Sequence, residues 1–451
     1  MIIKNKEELL SKDLKEGRGI ILRIIERTIR EMNYYTIIKK ILRVEDNILK
    51  INDIDIKLDD VEHVYIIAGG KNSSFMALAL EDALGERISE GVVIEKKGCQ
   101  LKTKKIPIIL AGHPMPDRES VRGAEEVIRI AGKASKKDLL IICVSGGWTA
   151  LASSPPEGVT LREFEETYDL LLKSGVPIEK MNIIRNHLSS LGRGKLAILA
   201  NEATVIGLIS VDEIGGLPWG PTVPDNSTFK DAIKVLNQYN LMESIPSSVK
   251  SYLEEDSFER ETPKQKDYDR RRTKVHNIVI ADNIMMCSKA RREATKLGIK
   301  AHVFSTGIEG EAKDVGKILA GIAKTIHNVG TPFEPPCLLI AGGETTVSIQ
   351  GENHGEGGRN QEMVLSAAQE ISGFDRIFIA SIATDGTDGP TNIAGAIVDG
   401  NTVELAERKG INIEEELEKH NSSSVFRRIK DAVYTYDTGT NLMDLMVIYV
   451  A

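Results

Sequence analysis

Two cations stand directly after glycine pairs in this sequence, where a side chain can approach an anion closely. Lys71 and Arg359 each follow two glycines. A lysine at a helix start is unfavourable beside the positive end of the helix dipole unless an anion is bound there. An arginine in such a loop suits two-point binding of a carboxylate or phosphate, although a surface arginine paired with glutamate has the same sequence context. Both residues are therefore candidate ligands for an anionic substrate.

Two more glycine loops carry hydroxyl groups and few charges. Residues 145–149 read Ser-Gly-Gly-Trp-Thr, and residues 342–346 read Gly-Gly-Glu-Thr-Thr. Small residues let main-chain N–H groups approach phosphate oxygens, and a following helix adds positive potential. Tight strand-to-helix turns have the same composition, so both interpretations stay open. The residues expected to contact a bound phosphate in these loops are Ser145, Gly146, Gly147, Gly342, Gly343, Glu344 and Thr345.

Two aspartates three positions apart follow an apolar run near the end of the chain. Asp385 and Asp388 lie in the sequence Thr-Asp-Gly-Thr-Asp-Gly-Pro at residues 384–390. They can hold a magnesium ion, act as a base, or form turns with their own main chain. Because Asp385 ends a predicted central strand, where active-site carboxylates often lie, we expect it to be catalytic.

The elements that position these loops are short, almost continuously apolar runs. A strand buried on both faces of a sheet has this pattern. Helical patterns lie between the runs, as at residues 74–84 and 312–326. The sequence predicts an α/β fold of two domains, each a largely parallel sheet with helices on both faces. Ligands in such sheets bind at the carboxyl ends of the strands. The runs are 64–68, 106–111, 139–144, 205–209, 278–281, 338–341 and 377–383.

The length of 451 residues exceeds what one core usually holds. Residues 251–276 contain seven acidic and seven basic residues around Pro263. This segment is either a pair of solvated helices or a connection between domains. We predict an N-terminal domain at 1–250, a charged linker at 251–276, and a C-terminal domain at 277–451.

Composition limits the classes of partner. The net charge of −8 and the pI near 5.7 argue against coating a nucleic acid. No apolar run approaches the ~20 residues of a membrane span, and the first residues do not resemble a signal peptide. The four cysteines are far apart, as expected of buried thiols in a reducing compartment. We expect a cytoplasmic protein without nucleic-acid or membrane partners, with a homodimer as an open option.

Several motif classes are missing from the sequence. No GxGxxG follows a predicted strand, and residues 192–195 lack the Ser or Thr that ends a Walker A motif. The histidines form no HExxH pair. A Rossmann dehydrogenase, a P-loop kinase and a zinc enzyme are thus disfavoured. A serine hydrolase stays open, since Ser145 stands in a variant of the nucleophile elbow, with His187 or His354 as base.

Nine segments, in order along the chain, resemble the glycerate 2-kinase family. The resemblance implies two α/β domains with the active site in the cleft between them. It also implies ATP and Mg²⁺ as cofactors, and phosphorylation of D-glycerate at its 2-hydroxyl. The alternative within the same fold is a non-catalytic sensor of sugar acids or nucleotides. The segments span residues 69–77, 112–124, 145–151, 186–197, 220–228, 342–347, 355–362, 384–390 and 439–445.

The resemblance also assigns roles residue by residue. Lys71 matches the essential lysine of the family, Arg359 its arginine and Asp385 its active-site aspartate. The sequence departs from the family after the run ending near residue 209, where Asp212 takes the place of the family's aspartate with a shift of one residue. We expect Asp385 and Asp212 to hold the metal. Within residues 186–197, the expected nucleotide contacts are Ser189 and Lys195.

Overall fold

A computed structural model describes residues 2–255, 260–271, 273–349 and 354–451. It divides into two compact units, which we name by one candidate residue each. The Lys71 unit comprises Tyr34–Val211 and Pro218–Ile280. The Arg359 unit comprises Met1–Asn33, Asp212–Leu217 and Ala281–Ala451.

The bounds of the two units differ from those of the expected domains at both ends of the expected N-terminal domain. The first 33 residues belong with the C-terminal half because α2 (Lys15–Met32) buries Arg18 there. Arg18 donates to Asp399 at 2.5 Å and to Asp431 at 2.6 Å. The described parts of the expected linker lie inside the Lys71 unit, anchored by bonds such as Asp225 N–H to the Pro263 carbonyl. Residues 256–259 and 272 of that expected linker lie outside the described residues.

The remaining elements follow in chain order. The helices are α1 (Lys6–Leu9), α2, α3 (Tyr34–Ile41), α4 (Ser73–Leu84), α5 (Arg118–Lys133), α6 (Trp148–Leu151), α7 (Leu161–Lys173), α8 (Ile178–Leu188), α9 (Lys195–Leu199), α10 (Phe229–Gln238), α11 (Ser247–Glu254), α12 (Gln265–Arg271), α13 (Asn283–Lys296), α14 (Ala312–Val329), α15 (Arg359–Glu370), α16 (Thr402–Arg408), α17 (Ile413–Glu418) and α18 (Ser422–Ile429).

The strands are β1 (Leu42–Glu45), β2 (Ile48–Ile51), β3 (Ile54–Lys57), β4 (Val64–Gly69), β5 (Ile88–Lys96), β6 (Ile108–Ala111), β7 (Leu139–Val144), β8 (Thr204–Ser210), β9 (Lys274–Ala281), β10 (Lys300–Ile308), β11 (Cys337–Gly343), β12 (Ile377–Ala383), β13 (Gly395–Asp399), β14 (Ala432–Val433) and β15 (Asp444–Val450).

The Lys71 unit contains the parallel sheet that the apolar runs predict. Its order is β6-β5-β4-β7-β8-β9, and the four pairs from β6 to β8 are parallel. Every residue of β4 and β7 is buried, which explains their uninterrupted apolar sequences. One core cluster joins this sheet to α5, and a second lies among α7, α8, α10 and α11. The small sheet β1-β2-β3 is antiparallel.

The Arg359 unit has a mixed sheet, which corrects the expectation of a largely parallel one. Its order is β10-β11-β15-β12-β13-β14. Only β10 and β11 pair in parallel among the described registers. The final strand β15 lies between β11 and β12 and runs antiparallel to both. A continuous apolar run indicates burial on both faces but carries no signal for strand direction, so the α/β class is confirmed while this pairing pattern differs.

Three helix starts in the Lys71 unit are stabilised by local side-chain caps. Asp117, Thr160 and Thr228 each accept from the main-chain N–H three residues later, and each forms a complete capping box. No helix in the described residues is long and apolar enough to cross a membrane.

Candidate active site

Residues 441–444 gather several of the predicted site residues of the Arg359 unit. Asn441 Nδ2 donates to Asp212 Oδ2 at 3.2 Å. The next residue, Leu442, donates its N–H to Thr384 Oγ1 at 2.7 Å, and Thr384 precedes Asp385. Asp444 then pairs with Arg359. One short segment, ending at the first residue of β15, thus bonds to Asp212, to Thr384 and to Arg359.

Arg359 makes a two-point ion pair with a buried carboxylate. Its Nε lies 2.7 Å from Asp444 Oδ2 and its Nη2 lies 2.9 Å from Oδ1. The third donor, Nη1, lies 2.6 Å from Glu344 Oε1. The two carboxylates raise the pKa of Arg359, although burial opposes them. Burial raises the pKa of Asp444, and the charge of Arg359 opposes that rise. The expected pairing with a surface glutamate is therefore one part of a larger, mostly buried arrangement.

The two aspartates of residues 384–390 have different surroundings. Asp388 is buried at the start of α15, where its Oδ1 accepts from Asn360 N–H at 3.1 Å and its Oδ2 from Gln361 N–H at 2.9 Å. Burial raises the pKa of Asp388 to about 6. Asp385 is partly exposed, and its Oδ1 accepts from Thr387 N–H at 3.0 Å. Asp388 therefore caps a helix, whereas Asp385 lies at a partly exposed position.

The glycines at the end of β11 are required by close packing. A Cβ atom at Gly342 would lie 1.9 Å from Asn283 Oδ1, and one at Gly343 would lie 2.1 Å from the Ile308 carbonyl oxygen. These two contacts explain why both positions are glycine, without any need for a bound nucleotide. Thr345 differs, since its hydroxyl is buried and has no partner among the described residues. A buried hydroxyl without a partner is costly, so Thr345 suits a contact to a bound ligand.

In the Lys71 unit, two glycine loops are joined at the carboxyl ends of β4 and β7. Lys71 N–H donates to the Gly146 carbonyl at 2.8 Å, and Ser145 Oγ donates to the Lys71 carbonyl at 2.8 Å. A Cβ at Gly70, where φ is 108°, would lie 2.3 Å from the Ser145 carbonyl oxygen. His113 contacts the other loop, since a Cβ at Gly147 would lie 2.9 Å from its Nε2. Lys71 and the loop of Gly146 and Gly147 are thus neighbours in the fold.

Ser189 and Lys195 form a separate pair in the same unit. Lys195 Nζ donates to the Ser189 carbonyl at 2.8 Å, just beyond the end of α8. Burial lowers the pKa of Lys195 to about 8. The ammonium therefore satisfies carbonyl groups at a helix end, a structural task that the sequence did not suggest.

The surroundings of Ser145 do not favour a nucleophile. Its side chain is fully buried, and its hydroxyl proton is directed to a main-chain carbonyl instead of a base. His187 is also buried, with Nδ1 2.8 Å from the Ile183 carbonyl oxygen and Nε2 facing Thr262 and Glu261. A serine–histidine pair, which the hydrolase interpretation needs, is not formed by these two residues.

Two groups of side chains could hold a metal. Asp212 and Asp385 offer carboxylate oxygens, the ligands that Mg²⁺ prefers, so the chemistry of the donors fits. Asn441 bonds to Asp212, and Leu442 bonds to Thr384, which precedes Asp385. A second cluster, Glu62, His63 and Asp138, has its ligand atoms within 4.8 Å of one another. There Glu62 already pairs with Lys137 at 2.6 Å, and Asp138 accepts from Ser135. Those bonds account for the close approach of the three side chains in the second cluster, which belongs to a turn.

Asp444 and Asn441 had no role in the sequence-based prediction. They lie in residues 439–445, one of the nine matching segments, so their motif was visible. The signal that could have drawn attention to Asp444 is its position as an acidic residue directly before an apolar run, whereas Asp385 follows one. Met443, which lies between Asn441 and Asp444, has φ of 62°. This main-chain conformation is unusual for a non-glycine residue and is often found at functional sites.

Comparisons with known proteins match both halves of the chain. The family described as "Domain of unknown function (DUF4147)" matches residues 20–254, and the MOFRL family matches residues 337–444. A protein of Pyrococcus horikoshii named glycerate 2-kinase is 37 % identical, covering 97 % of this chain and 98 % of its own. An Agrobacterium vitis protein, named provisionally as a hydroxypyruvate reductase, is 34 % identical over 85 % of this chain and 98 % of its own.

A solved structure agrees with the sequence comparisons. The crystal structure of a glycerate kinase from Thermotoga maritima matches with a TM-score of 0.81 and 31 % identity, covering 96 % of this chain and 99 % of that one. The two matching family ranges include the candidate residues, Lys71 in the first and Arg359 and Asp385 in the second. The chain therefore belongs to the glycerate kinase family.

Proposed function

We propose that this protein transfers the γ-phosphoryl group of ATP to the 2-hydroxyl of D-glycerate, giving 2-phosphoglycerate and ADP. The observation that carries the proposal is the alignment of nearly the whole chain with a relative named glycerate 2-kinase. The site chemistry supports it, because phosphoryl transfer depends on positioning and on cations more than on covalent intermediates. Lys71 and Arg359 supply cations, and neither Ser145 nor His187 has the contacts of a nucleophile or its base.

Arg359 is proposed to bind the carboxylate of glycerate. Its pair with Asp444 uses two donors and is buried, whereas Glu344 holds the third donor and is about half exposed. A substrate carboxylate can therefore replace Glu344 without disturbing the buried pair. Lys71 is proposed to neutralise charge on the transferred phosphoryl group.

Asp385 and Asp212 are the residues proposed to hold Mg²⁺. When bound, the ion supplies positive charge to the phosphate oxygens of the nucleotide. Asp385 is also the carboxylate proposed to orient the substrate hydroxyl, since it is partly exposed whereas Asp388 and Asp444 are buried. Ser145, Gly146, Gly147 and Thr345 remain the proposed nucleotide contacts.

The position of phosphorylation follows from where the carboxylate is held. The 2-hydroxyl is adjacent to the carboxylate of glycerate, and the 3-hydroxyl is at the opposite end. An arginine that fixes the carboxylate therefore decides which oxygen lies in line with the γ-phosphate. Purified enzyme with D-glycerate and Mg²⁺-ATP should produce ADP, and added enolase should convert the product to phosphoenolpyruvate, followed by its absorbance. A signal that requires phosphoglycerate mutase as well would mean that the 3-hydroxyl is the acceptor.

Three controls separate the competing functions. Hydroxypyruvate with NADH or NADPH tests the activity named for the Agrobacterium vitis relative, and we expect no oxidation of the nicotinamide. A fluorophosphonate probe tests for a serine hydrolase, and we expect no labelling of Ser145. Glycerate binding without ADP release would favour the sensor and contradict the kinase.

A further inference from the structure

Arg185 is a buried cation for which the described residues provide no counter-charge. It lies in the last turn of α8 and is 8 % exposed. Its Nε is enclosed and has no hydrogen-bond partner, and no ion pair with a described residue involves its guanidinium. Burial lowers the pKa of Arg185, and no carboxylate opposes that effect.

Among the described residues, the buried Arg18 and the partly buried Arg359 both have carboxylate partners, unlike Arg185. Arg18 contacts two aspartates, and Arg359 contacts Asp444 and Glu344. A guanidinium stays protonated in proteins, and burying a charge without a partner is costly. The position of Arg185 near the negative end of the α8 dipole compensates only a small part of that cost. The carbonyl of Ser189 beyond this helix end is already bonded to Lys195.

The guanidinium of Arg185 lies over an aromatic ring. The guanidinium carbon lies 4.6 Å from the centre of the Tyr168 ring, so an aromatic side chain contacts the group. Tyr168 offers no hydrogen bond in return, since its own hydroxyl is buried without a described partner. An arginine stacked on an aromatic ring with unpaired N–H groups is suited to two-point binding of carboxylate or phosphate oxygens.

We propose that Arg185 binds an anionic group of a substrate, either a phosphate of the nucleotide or the carboxylate of the acceptor. The inference rests on the proposed function, which names those two ligands. The bound ligand then supplies the negative charge that no described residue provides for Arg185. The residue then contributes to binding in the Lys71 unit, in addition to Lys71.

The test replaces the cation by an apolar side chain of similar length. Arg185→Met should weaken the binding of either ATP or D-glycerate, measured separately by calorimetry, by roughly 10- to 100-fold, the range for hydrogen bonds to a charged group. The ligand whose affinity falls identifies the anionic group. The melting temperature without ligand should stay equal or rise, because the variant removes an unpaired buried charge.

Lys180→Met is the matched control. Lys180 is on the same helix and its Nζ also lies near a tyrosine ring, 5.2 Å from the centre of Tyr239. It is already bonded to Gln238 Oε1 at 3.1 Å, so its loss should change neither affinity. If Arg185→Met does not fold, Arg185→Lys retains the charge, removes the planar fork, and should still weaken one ligand.

The outcomes separate this inference from the proposed function. Arg185 variants that lose thermal stability but bind both ligands like the wild type would overturn the inference, while ADP release by the wild type would leave the kinase standing. A wild type that binds ATP without turning over glycerate would overturn the kinase, and the calorimetric comparison of Arg185→Met would still decide the inference. A wild type that binds neither ligand would overturn both.

Discussion

Arg359 is held by Asp444 through two hydrogen bonds of 2.7 and 2.9 Å, although the two residues are 85 positions apart in the chain. The carboxylate is completely buried, whereas the arginine side chain is 28 % exposed. Asn360 Nδ2 donates to the same carboxylate at 2.9 Å, so Asp444 is itself fixed in place. Asp444 is therefore a positioning residue: it orients the cation that we propose to bind substrate.

Replacing Asp444 by asparagine should reduce turnover. Asparagine preserves the shape but offers one acceptor and no charge, so Arg359 loses its two-point support. We expect kcat to fall roughly 10²-fold, the scale of one lost electrostatic contact in a transition state. Asp437→Asn, an exposed neighbour in the same stretch of chain, should have wild-type kinetics. Because the two residues act together, the losses in Arg359→Lys and Asp444→Asn should not add in the double variant; additive losses would contradict the positioning role.

Replacing Lys71 by methionine should abolish most turnover with little effect on folding. Its main-chain N–H and carbonyl, which bond to the loop at residues 145–147, are unchanged by the substitution. We expect a loss of roughly 10²-fold or more in kcat. Lys136→Met, at an exposed position of the same unit, serves as control. Near-normal turnover in a folded Lys71→Met enzyme would remove this residue from the proposed mechanism.

Asp388 should make stability depend on pH. Its carboxyl has a pKa of about 6 in the folded state, above the ordinary value of ~3.9 in an unfolded chain. The folded state therefore binds the proton more tightly, so this contribution is complete below pH ~4 and is lost as pH rises through ~6. The loss is about 3 kcal/mol, from roughly two pKa units.

Urea unfolding of wild type and Asp388→Asn across this pH range measures that contribution. The variant should be less stable at pH 4, since the helix cap at α15 is damaged. From pH 4 to pH 7 the stability of the variant relative to the wild type should rise by about 3 kcal/mol. A difference that stays constant with pH would mean that the carboxyl has the same pKa in both states.

Asp385→Asn and Asp212→Asn should each raise the Mg²⁺ concentration needed for half-maximal activity. Both remove a charged oxygen ligand from the proposed metal site. Melting temperatures should change little, because both side chains are only partly buried. Titration of activity with Mg²⁺ measures the shift, and Asp437→Asn again provides the reference. An unchanged Mg²⁺ requirement with reduced kcat would instead assign Asp385 to orienting the substrate hydroxyl alone.

The sequence by itself determined the strands and the loops that follow them. Runs that are apolar at every position became β4 and β7, and the cations after glycine pairs lie at strand or helix ends as expected. Both properties depend on neighbours in the chain: burial of consecutive residues requires an apolar run, and a tight turn requires glycine. The α/β class follows from those local signals.

Only the tertiary structure decided which distant residues meet. In the folded protein β15 lies antiparallel at the centre of a sheet, and α2 packs in the Arg359 unit. Arg359 is paired with Asp444, whereas Arg185 has no carboxylate partner among the described residues. An apolar run records that a strand is buried but not the direction of its neighbour. A charged residue in the sequence indicates that a partner is required, but it does not identify that partner. The partner depends on packing between segments that are far apart in the chain.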